Sequence, residues 1–277
     1  MMRTTTSGFL DDMARSSAAR VAEALRHESF ADLERRARRA PASPPLRQSA
    51  AGFDVIAELK LRSPALGVLG SENEDWLGRV AGYARGGAAA VSVLTEPTRF
   101  DGSLRHLSRA AAALEPLGVP AMRKDFLVDP YQVLEARAAG AGGILVIIRM
   151  LTPGRIAELL DVAAEHGLFV LLEAFDAGDL ETARDLLSDR GQQILVGINC
   201  RDLQTLAVVP ERFAELAPLL PPGRPAVAES GVASAADARK VKALGYGLAL
   251  IGTALMAGDE PAQLLLEIFR ATRTVQP

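Results

Sequence analysis

Charged and amide side chains follow most of the short apolar runs of this sequence. Glu58 and Lys60 stand two residues apart at the end of the first run, so on a β-strand both point to the same face. Such a pair places a carboxylate beside an ammonium group. Asn199 and Arg201 repeat the arrangement after the sixth run. The planar guanidinium of Arg201 suits a carboxylate ligand, because it can donate to both oxygens.

Lys124 and Glu173 form a separated acid and base, at the ends of the third and fifth apolar runs. A lysine among apolar neighbours can donate a proton, and a glutamate there can accept one. For any one of these charged groups, the alternative to a catalytic role is a purely structural salt bridge between neighbouring strands. Because burying an unpaired charge is costly, so many charges at the ends of apolar runs favour a shared active site.

Small residues follow the last two apolar runs. Ser230-Gly231 and Gly252-Thr253 offer hydroxyl groups and unhindered backbone N–H groups, with which barrel enzymes bind phosphate. Ser63, in the first loop, could complete this site. For either pair alone, the structural alternative is a tight turn. Two such pairs on adjacent loops favour a phosphate-binding site.

Metal and thiol chemistry have weak support in this sequence. His27, His106 and His166 are spread over an N-terminal segment and two predicted helices, which argues against a metal site or a histidine-based triad. Cys200 would point to the opposite face from its two neighbours, so we interpret it as strand-to-helix packing rather than as a nucleophile. We therefore expect neither a metal ion nor a cofactor.

Eight apolar runs alternate with amphipathic stretches from residue 54 onward. The runs lack polar alternation, as is typical of strands covered on both faces. Eight strand–helix pairs in about 220 residues indicate a (β/α)8 TIM barrel, whose strand ends converge on one site. A doubly wound sheet is the alternative, but no dinucleotide-binding glycine pattern follows the first run. The predicted strands are Val55–Leu59, Ala89–Leu94, Val119–Met122, Gly143–Ile148, Leu168–Leu172, Ile194–Ile198, Ala226–Ala228 and Leu248–Ile251.

Residues 1–50 have a different composition from the rest of the chain. They are rich in Ala and Arg and show no strand pattern, which predicts a helical extension ending by Pro41–Pro45. The barrel domain would then be residues 51–277. Four arginines lie within residues 35–39. We interpret them as solvent-exposed residues of the last helical turn, where positive charge interacts favourably with the helix dipole, rather than as a nucleic-acid site.

Composition and charge argue against several classes of protein. The 277 residues carry 31 Lys+Arg and 34 Asp+Glu, and a net charge of −3 disfavours a broad nucleic-acid footprint. The longest uncharged stretch, Ala243–Gly258, has 16 residues and four glycines, too short and too broken for a membrane span. The first residues lack the pattern of a secretory signal. We predict a cytoplasmic protein, and a monomer because no long exposed apolar stripe is evident.

Several strings of this sequence resemble the indole-3-glycerol-phosphate synthase family. They run in order from about residue 54 to 258, at family-like spacing. They are Ile56-Ala57-Glu58-Leu59-Lys60 through Ser63-Pro64, Val91-Ser92-Val93-Leu94-Thr95-Glu96 with Phe100, Arg123-Lys124-Asp125-Phe126, Gly197-Ile198-Asn199 with Arg201-Asp202-Leu203, and Val227-Ala228-Glu229-Ser230-Gly231.

The resemblance implies a reaction in tryptophan biosynthesis. In it, 1-(2-carboxyphenylamino)-1-deoxyribulose 5-phosphate closes to indole-3-glycerol phosphate with loss of carbon dioxide and water. It also implies that residues 1–50 fold onto the open end of the barrel.

The resemblance further implies roles for individual residues. Lys124 would protonate the carbonyl oxygen, Glu173 would be the base of the dehydration, and Glu58 would assist. How Lys60 and Lys124 divide the acid steps stays open. Lys60, Asn199 and Arg201 would hold the carboxylate; Phe100, Phe126 and Leu203 would line the aromatic pocket; and Ser63, Ser230, Gly231, Gly252 and Thr253 would bind the phosphate.

Four positions depart from the family pattern. Phe175 stands where Asn or His is usual, two residues after the predicted base, and Ala65 replaces a serine of the first loop. Leu61 and Arg149 are also atypical. These departures leave room for a slower enzyme or an altered substrate.

Two alternative functions follow from the same residues. One is another phosphate-binding barrel, such as an isomerase of phosphoribosyl anthranilate or of histidine intermediates. The other is a non-catalytic paralogue that binds a phosphorylated metabolite or a partner protein. Neither predicts Glu58, Lys60, Lys124 and Glu173 together, so the set favours the synthase.

Overall fold

A closed barrel of parallel strands forms the centre of the molecule. The computed structural model describes residues 8–50, 52–63, 67–68, 75–188, 190–203, 205–258 and 260–273. The barrel strands within these residues are β1 Asp54–Leu59, β4 Ala90–Leu94, β5 Ala121–Lys124, β6 Gly143–Ile147, β7 Phe169–Ala174, β8 Ile194–Asn199, β9 Ala226–Glu229 and β10 Leu248–Ile251, with a separate hairpin of β2 Arg62–Ser63 and β3 Gly67–Val68. The eight barrel strands pair in the order β1-β10-β9-β8-β7-β6-β5-β4, and β1 also pairs with β4.

All eight predicted strands are present, which confirms the (β/α)8 barrel. The carboxyl ends of β5, β7, β8 and β9 extend further than predicted, because the predicted runs stopped before the first charged or amide residue, whereas β6 ends one residue earlier than predicted. Lys124, Glu173 and Asn199 lie within strands rather than in the loops that follow. Each of these side chains is therefore held by the hydrogen bonding of the sheet.

Helices surround the barrel and cover one of its ends. They are α1 Phe9–His27, α2 Phe30–Arg39, α3 Trp76–Arg85, α4 Pro97–Phe100, α5 Leu104–Leu114, α6 Pro130–Ala138, α7 Pro153–Glu165, α8 Ala177–Leu187, α9 Arg212–Leu216, α10 Ala235–Ala243, α11 Thr253–Ala257 and α12 Pro261–Thr272, with 3-10 turns at Glu115–Leu117, Ile148–Met150 and Ala217–Leu219. In the described part of the chain, no helix combines the length and the apolar character needed to cross a bilayer.

Two apolar layers meet at the barrel wall. Along β1, Val55 and Ala57 face outward and pack in the layer beneath the helices, whereas Ile56 packs inside the barrel. The period of two then turns Glu58 inward, and Lys60 after it. Glu58 is accordingly buried in the interior, directly above the apolar floor.

Helix α1 lies across the mouth, the end of the barrel formed by the carboxyl ends of the strands. Met13 packs with the inner apolar layer, while Arg20 donates two hydrogen bonds to Asp125, at 2.9 and 2.8 Å. Ser17 donates to the backbone oxygen of Phe126. Helix α1 therefore contacts Asp125 and Phe126, the two residues that follow Lys124. The division into an extension of residues 1–50 and a barrel of residues 51–277 stays a prediction.

Asp125 is the buried centre of this attachment. Burial alone would raise the pKa of its carboxyl, but the hydrogen bonds from Arg20 and the charges of Arg123 and Arg20 outweigh it and hold the pKa well below its usual range. Thr95 donates to the same carboxylate at 2.7 Å. Asp125 is thus a fixed anion that joins α1 to β5.

We expect Arg20→Met to lower the free energy of unfolding by about 2 kcal/mol, measured by urea denaturation. The loss should be moderate because Arg123 and Thr95 still contact Asp125 after the substitution. Arg26→Met is the matched control, since Arg26 is an exposed residue of α1 whose ion pair with Glu23 lies on the surface. Equal losses in the two variants would contradict a specific role for the buried pair.

Candidate active site

A cavity at the mouth brings the predicted site residues together. Its floor is apolar, from Leu145, Ile147 and Leu250, and its rim is charged. All five predicted catalytic residues line it, namely Glu58, Lys60, Lys124, Glu173 and Asn199. The five predicted substrate-binding residues line it as well, namely Arg201, Phe100, Phe126, Leu203 and Ser230.

Lys124 stands between two carboxylates. Its Nζ lies 3.5 Å from Oε2 of Glu173 and 4.0 Å from Oε2 of Glu229. Burial disfavours the ammonium charge, but the charges of Glu173, Glu229 and Glu58 outweigh it and raise the pKa of Lys124. The amine is therefore protonated at neutral pH. Lys124 and Glu173 lie on the third and fifth barrel strands, as predicted, and their side chains meet inside the closed barrel although β6 separates their strands.

Glu58 and Lys60 form the second ion pair of the cavity. Oε1 of Glu58 lies 3.1 Å from Nζ of Lys60, and both side chains are mostly buried. The other oxygen of Glu58 is buried and has no hydrogen-bond partner among the described residues. A buried acceptor without a donor is costly unless a ligand supplies one.

Glu229 belongs to the site but was not among the predicted site residues. It ends β9, lines the cavity, and neither of its buried oxygens has a hydrogen-bond partner in the described chain. Burial and the nearby charge of Glu173 raise the pKa of this carboxyl well above its ordinary value. Glu229 therefore keeps its proton to a higher pH than an ordinary glutamate does. Its position at the end of an apolar run is the signal that could have identified it.

Gly197 makes room for Glu229. A Cβ atom at residue 197 would overlap Oε1 of Glu229 and lie 3.0 Å from Cδ1 of Leu171. Neither neighbour can move freely, because both side chains are packed inside the barrel. The glycine is thus required by the carboxyl group on the adjacent strand.

Asn199 and Arg201 are joined at the end of β8. The backbone N–H of Arg201 donates to Oδ1 of Asn199 at 2.9 Å, and its guanidinium donates to the backbone oxygen of Leu206 at 2.7 Å. Within the described residues, Arg201 has no carboxylate partner. Its remaining donors can therefore pair with an anionic ligand in the cavity.

Aromatic side chains form one wall. The ring of Phe126 lies 6.1 Å from that of Phe100 and 5.8 Å from that of Phe9, measured between centroids. Phe9 was not among the predicted site residues, because its position in α1 gave no sign of which strand ends the helix would cover. Together the three rings can hold a flat aryl group.

The predicted phosphate-binding residues are only partly placed. Ser230 lines the cavity, with a left-handed φ of 63°. Gly231, Gly252 and Thr253 stand just beyond, at the ends of β9 and β10, and a Cβ at Gly252 would lie 2.5 Å from Oε1 of Glu58. The side chain of Ser63 lies outside the described residues, as does Ala65. Phosphate binding by this set stays a prediction.

Two of the atypical residues contact each other. The guanidinium of Arg149 lies 4.4 Å above the ring of Phe175 and donates to Asp179 at 3.0 and 2.8 Å. The backbone N–H of Phe175 donates to the same oxygen at 2.8 Å. The loop after Glu173 is thereby fixed to the turn after β6. Leu61, also atypical, is buried in the outer apolar layer.

The thiol lies away from this chemistry. Cys200 is buried in the outer layer, and burial raises its pKa to about 12, so it is not a thiolate nucleophile at neutral pH.

A set of possible metal ligands lies on the surface. Among the described residues, Glu34, Glu165 and His166 place potential ligand atoms within 4.8 Å of one another. Both carboxylates pair with Arg38, which accounts for the group without an ion.

Comparison with known proteins gives consistent results over almost the whole chain. A family model described as indole-3-glycerol phosphate synthase matches residues 10–268. The indole-3-glycerol phosphate synthase of Nocardioides sp. is 42% identical over 256 residues, covering 91% of this chain and 94% of that protein. That of Koribacter versatilis is 38% identical over 267 residues, covering 96% and 99%.

Solved structures of distant sequence share the barrel. Thiamine phosphate pyrophosphorylase from Pyrococcus furiosus has a TM-score of 0.57 at 13% identity, covering 81% of this chain and 98% of that one. 3-Hexulose-6-phosphate synthase from Salmonella typhimurium has a TM-score of 0.59 at 13% identity, covering 79% and 98%. At these identities the likeness concerns the fold alone.

The raised pKa of Glu229 predicts a pH dependence of stability. Above about pH 4.3 the unfolded chain releases this proton while the folded protein keeps it, so the free energy of unfolding should fall as the pH rises. Glu229→Gln removes the titration. The difference in stability, wild type minus variant, should therefore decrease as the pH rises above about 4.3 in urea denaturation series. Parallel curves would contradict a raised pKa of Glu229.

Proposed function

The chain belongs to the indole-3-glycerol phosphate synthase family, and we propose that its cavity closes the indole ring of 1-(2-carboxyphenylamino)-1-deoxyribulose 5-phosphate. The protein is an enzyme, a carboxy-lyase of tryptophan biosynthesis, and acts on a small phosphorylated substrate. The observation that carries the proposed mechanism is the protonated Lys124, held against Glu173 at 3.5 Å within a cavity that also holds Lys60, Arg201 and an aromatic wall.

Each part of the substrate has a chemical counterpart in the cavity. Arg201, which lacks a carboxylate partner among the described residues, and Lys60 would bind the carboxylate that later leaves as carbon dioxide. The aryl ring would lie against Phe100 and Phe126. The phosphate would be placed toward Ser230 and the loops after β9 and β10. Holding both ends of one flexible molecule converts ring closure into a reaction of neighbouring atoms.

Lys124 would act as the general acid in the first step. As the ring carbon that bears the carboxylate attacks the carbonyl carbon, a carbon–carbon bond forms and the carbonyl oxygen takes a proton from the ammonium group. Carbon dioxide then leaves, and the electrons of the broken bond restore the aromatic ring. The surrounding carboxylates, which raise the pKa of Lys124, keep the acid charged between turnovers.

Glu173 would act as the base in the second step. It takes a proton from the intermediate while the hydroxyl group leaves as water, and the new double bond completes the indole. Lys60 and Lys124 both line the cavity and can protonate the departing hydroxyl. Glu173 is also the nearer of the two carboxyl groups beside Lys124, at 3.5 Å against 4.0 Å for Glu229.

We also propose that the protein is a cytoplasmic monomer that binds neither nucleic acid nor membrane. The net charge of −3 supports the absence of a nucleic-acid surface. The exposed large apolar side chains, such as Leu25, Leu117 and Leu244, stand on different helices or turns rather than on one patch. Light scattering of the purified protein would test the monomer.

We expect Lys124→Met to lower kcat by about a hundredfold or more, because the general acid is lost while the apolar stem is kept. The assay mixes pure protein with the carboxyphenylamino-deoxyribulose phosphate and follows indole fluorescence. Lys240→Met, on the exposed face of α10, is the control and should retain wild-type activity. Undiminished turnover in Lys124→Met would refute its role, and no turnover in the wild type would favour the non-catalytic alternative.

Glu173→Gln should stop the reaction after ring closure, because the amide cannot accept the proton removed in dehydration. Single-turnover experiments should then show release of carbon dioxide without the rise in indole fluorescence. Loss of both signals would instead place Glu173 in the first step.

A further inference from the structure

A second cavity adjoins the active site on the side of α1 and β8. Its volume is about 330 Å³. Phe9, Arg201 and Leu203 line both cavities, so these three side chains form the shared boundary. The remaining lining residues among those described are Gly8, Leu10, Arg149, Phe175, Asp202 and Arg212.

The lining is cationic. Three guanidinium groups face one carboxylate, that of Asp202. Arg149 is neutralised by its ion pairs with Asp176 and Asp179. Arg201 and Arg212 are not neutralised in this way.

The hydrogen bonds of Arg201 and Arg212 leave their charges uncompensated. Arg212 donates to the backbone oxygen of Asn199 at 2.7 Å, and Arg201 donates to that of Leu206 at 2.7 Å. Within the described residues, neither guanidinium has a carboxylate within ion-pairing distance. Two adjacent cations without counter-ions create a positive potential that an anion can lower.

The other walls are apolar and include two aromatic rings. Phe175 lies on one side, with the guanidinium of Arg149 over one face of its ring. Phe9 and Leu10 of α1 lie on the other side. A ligand that suits this cavity therefore combines an anionic group with an aryl ring.

We propose that this cavity is an outer binding site that receives the anionic aryl substrate before it enters the catalytic cavity. The inference rests on the proposed function, whose substrate carries an aryl carboxylate and a phosphate. Arg201 lines both cavities, so it can keep contact with the carboxylate as the substrate moves inward. Arg212 lines the outer cavity without lining the catalytic one, so its charge acts on capture rather than on chemistry.

The test is Arg212→Gln, assayed by indole fluorescence over a range of ionic strength. We expect kcat/KM at low salt to fall by about threefold or more while kcat is retained, because one steering charge is lost. The decline of kcat/KM with added salt should also become shallower than in the wild type. Arg212→Lys keeps the charge and should restore both the value and its salt dependence.

Arg184→Gln is the matched control. Arg184 also donates to a backbone oxygen, that of Leu219 at 3.0 Å, but it lies on α8 and does not line either cavity. This variant should leave kcat/KM and its salt dependence unchanged.

If the wild type is active, three results would overturn the inference. Unchanged kcat/KM in Arg212→Gln would show that its charge has no part in capture. A fall in kcat that Arg212→Lys does not restore would show that Arg212 acts only through the backbone of Asn199. An equal effect of Arg184→Gln would show that the change in kcat/KM comes from the overall charge of the protein rather than from the outer cavity. Absence of turnover in the wild type would remove the proposed function itself, and this inference with it.

Discussion

Three glutamates share one buried space inside the barrel, and the arrangement of the site depends on how their negative charges are compensated. Glu58, Glu173 and Glu229 lie within one residue of the carboxyl ends of their strands, and the charges of all three act on Lys124. Ionised carboxylates cannot share a buried space without compensation. The ammonium groups of Lys60 and Lys124 and the raised pKa of Glu229 provide it here, and the same arrangement places the proposed acid, Lys124, beside the proposed base, Glu173. The electrostatic solution to burial is therefore also the catalytic arrangement that we propose.

The parts around this centre hold it in place. Sheet hydrogen bonds fix the backbone of Lys124 and Glu173, and the buried Asp125 attaches the residues after Lys124 to helix α1. Gly197 leaves the space that the carboxyl of Glu229 occupies. A helix outside the barrel and a glycine on the adjacent strand thus matter to the site as much as the groups that line it.

Two departures from the family pattern, Arg149 and Phe175, line the outer cavity rather than this centre. Phe175 cannot make the polar contact of the usual Asn or His, yet its backbone and ring are held by Asp179 and Arg149. The two unusual residues compensate each other, so the loop after Glu173 stays anchored. This exchange also gives the outer cavity an aromatic wall.

The sequence by itself determined the fold and most members of the site. Eight apolar runs without polar alternation are enough for a barrel, and strand ends must converge once it closes, so the residues at those ends could be found by position. Only the tertiary structure decided which of them touch. The contact of Lys124 with Glu173 depends on barrel closure, the raised pKa of Glu229 depends on burial, and the position of Phe9 beside the cavity depends on where α1 crosses the mouth. These are distances between segments far apart in the chain, and no local pattern of residues records them.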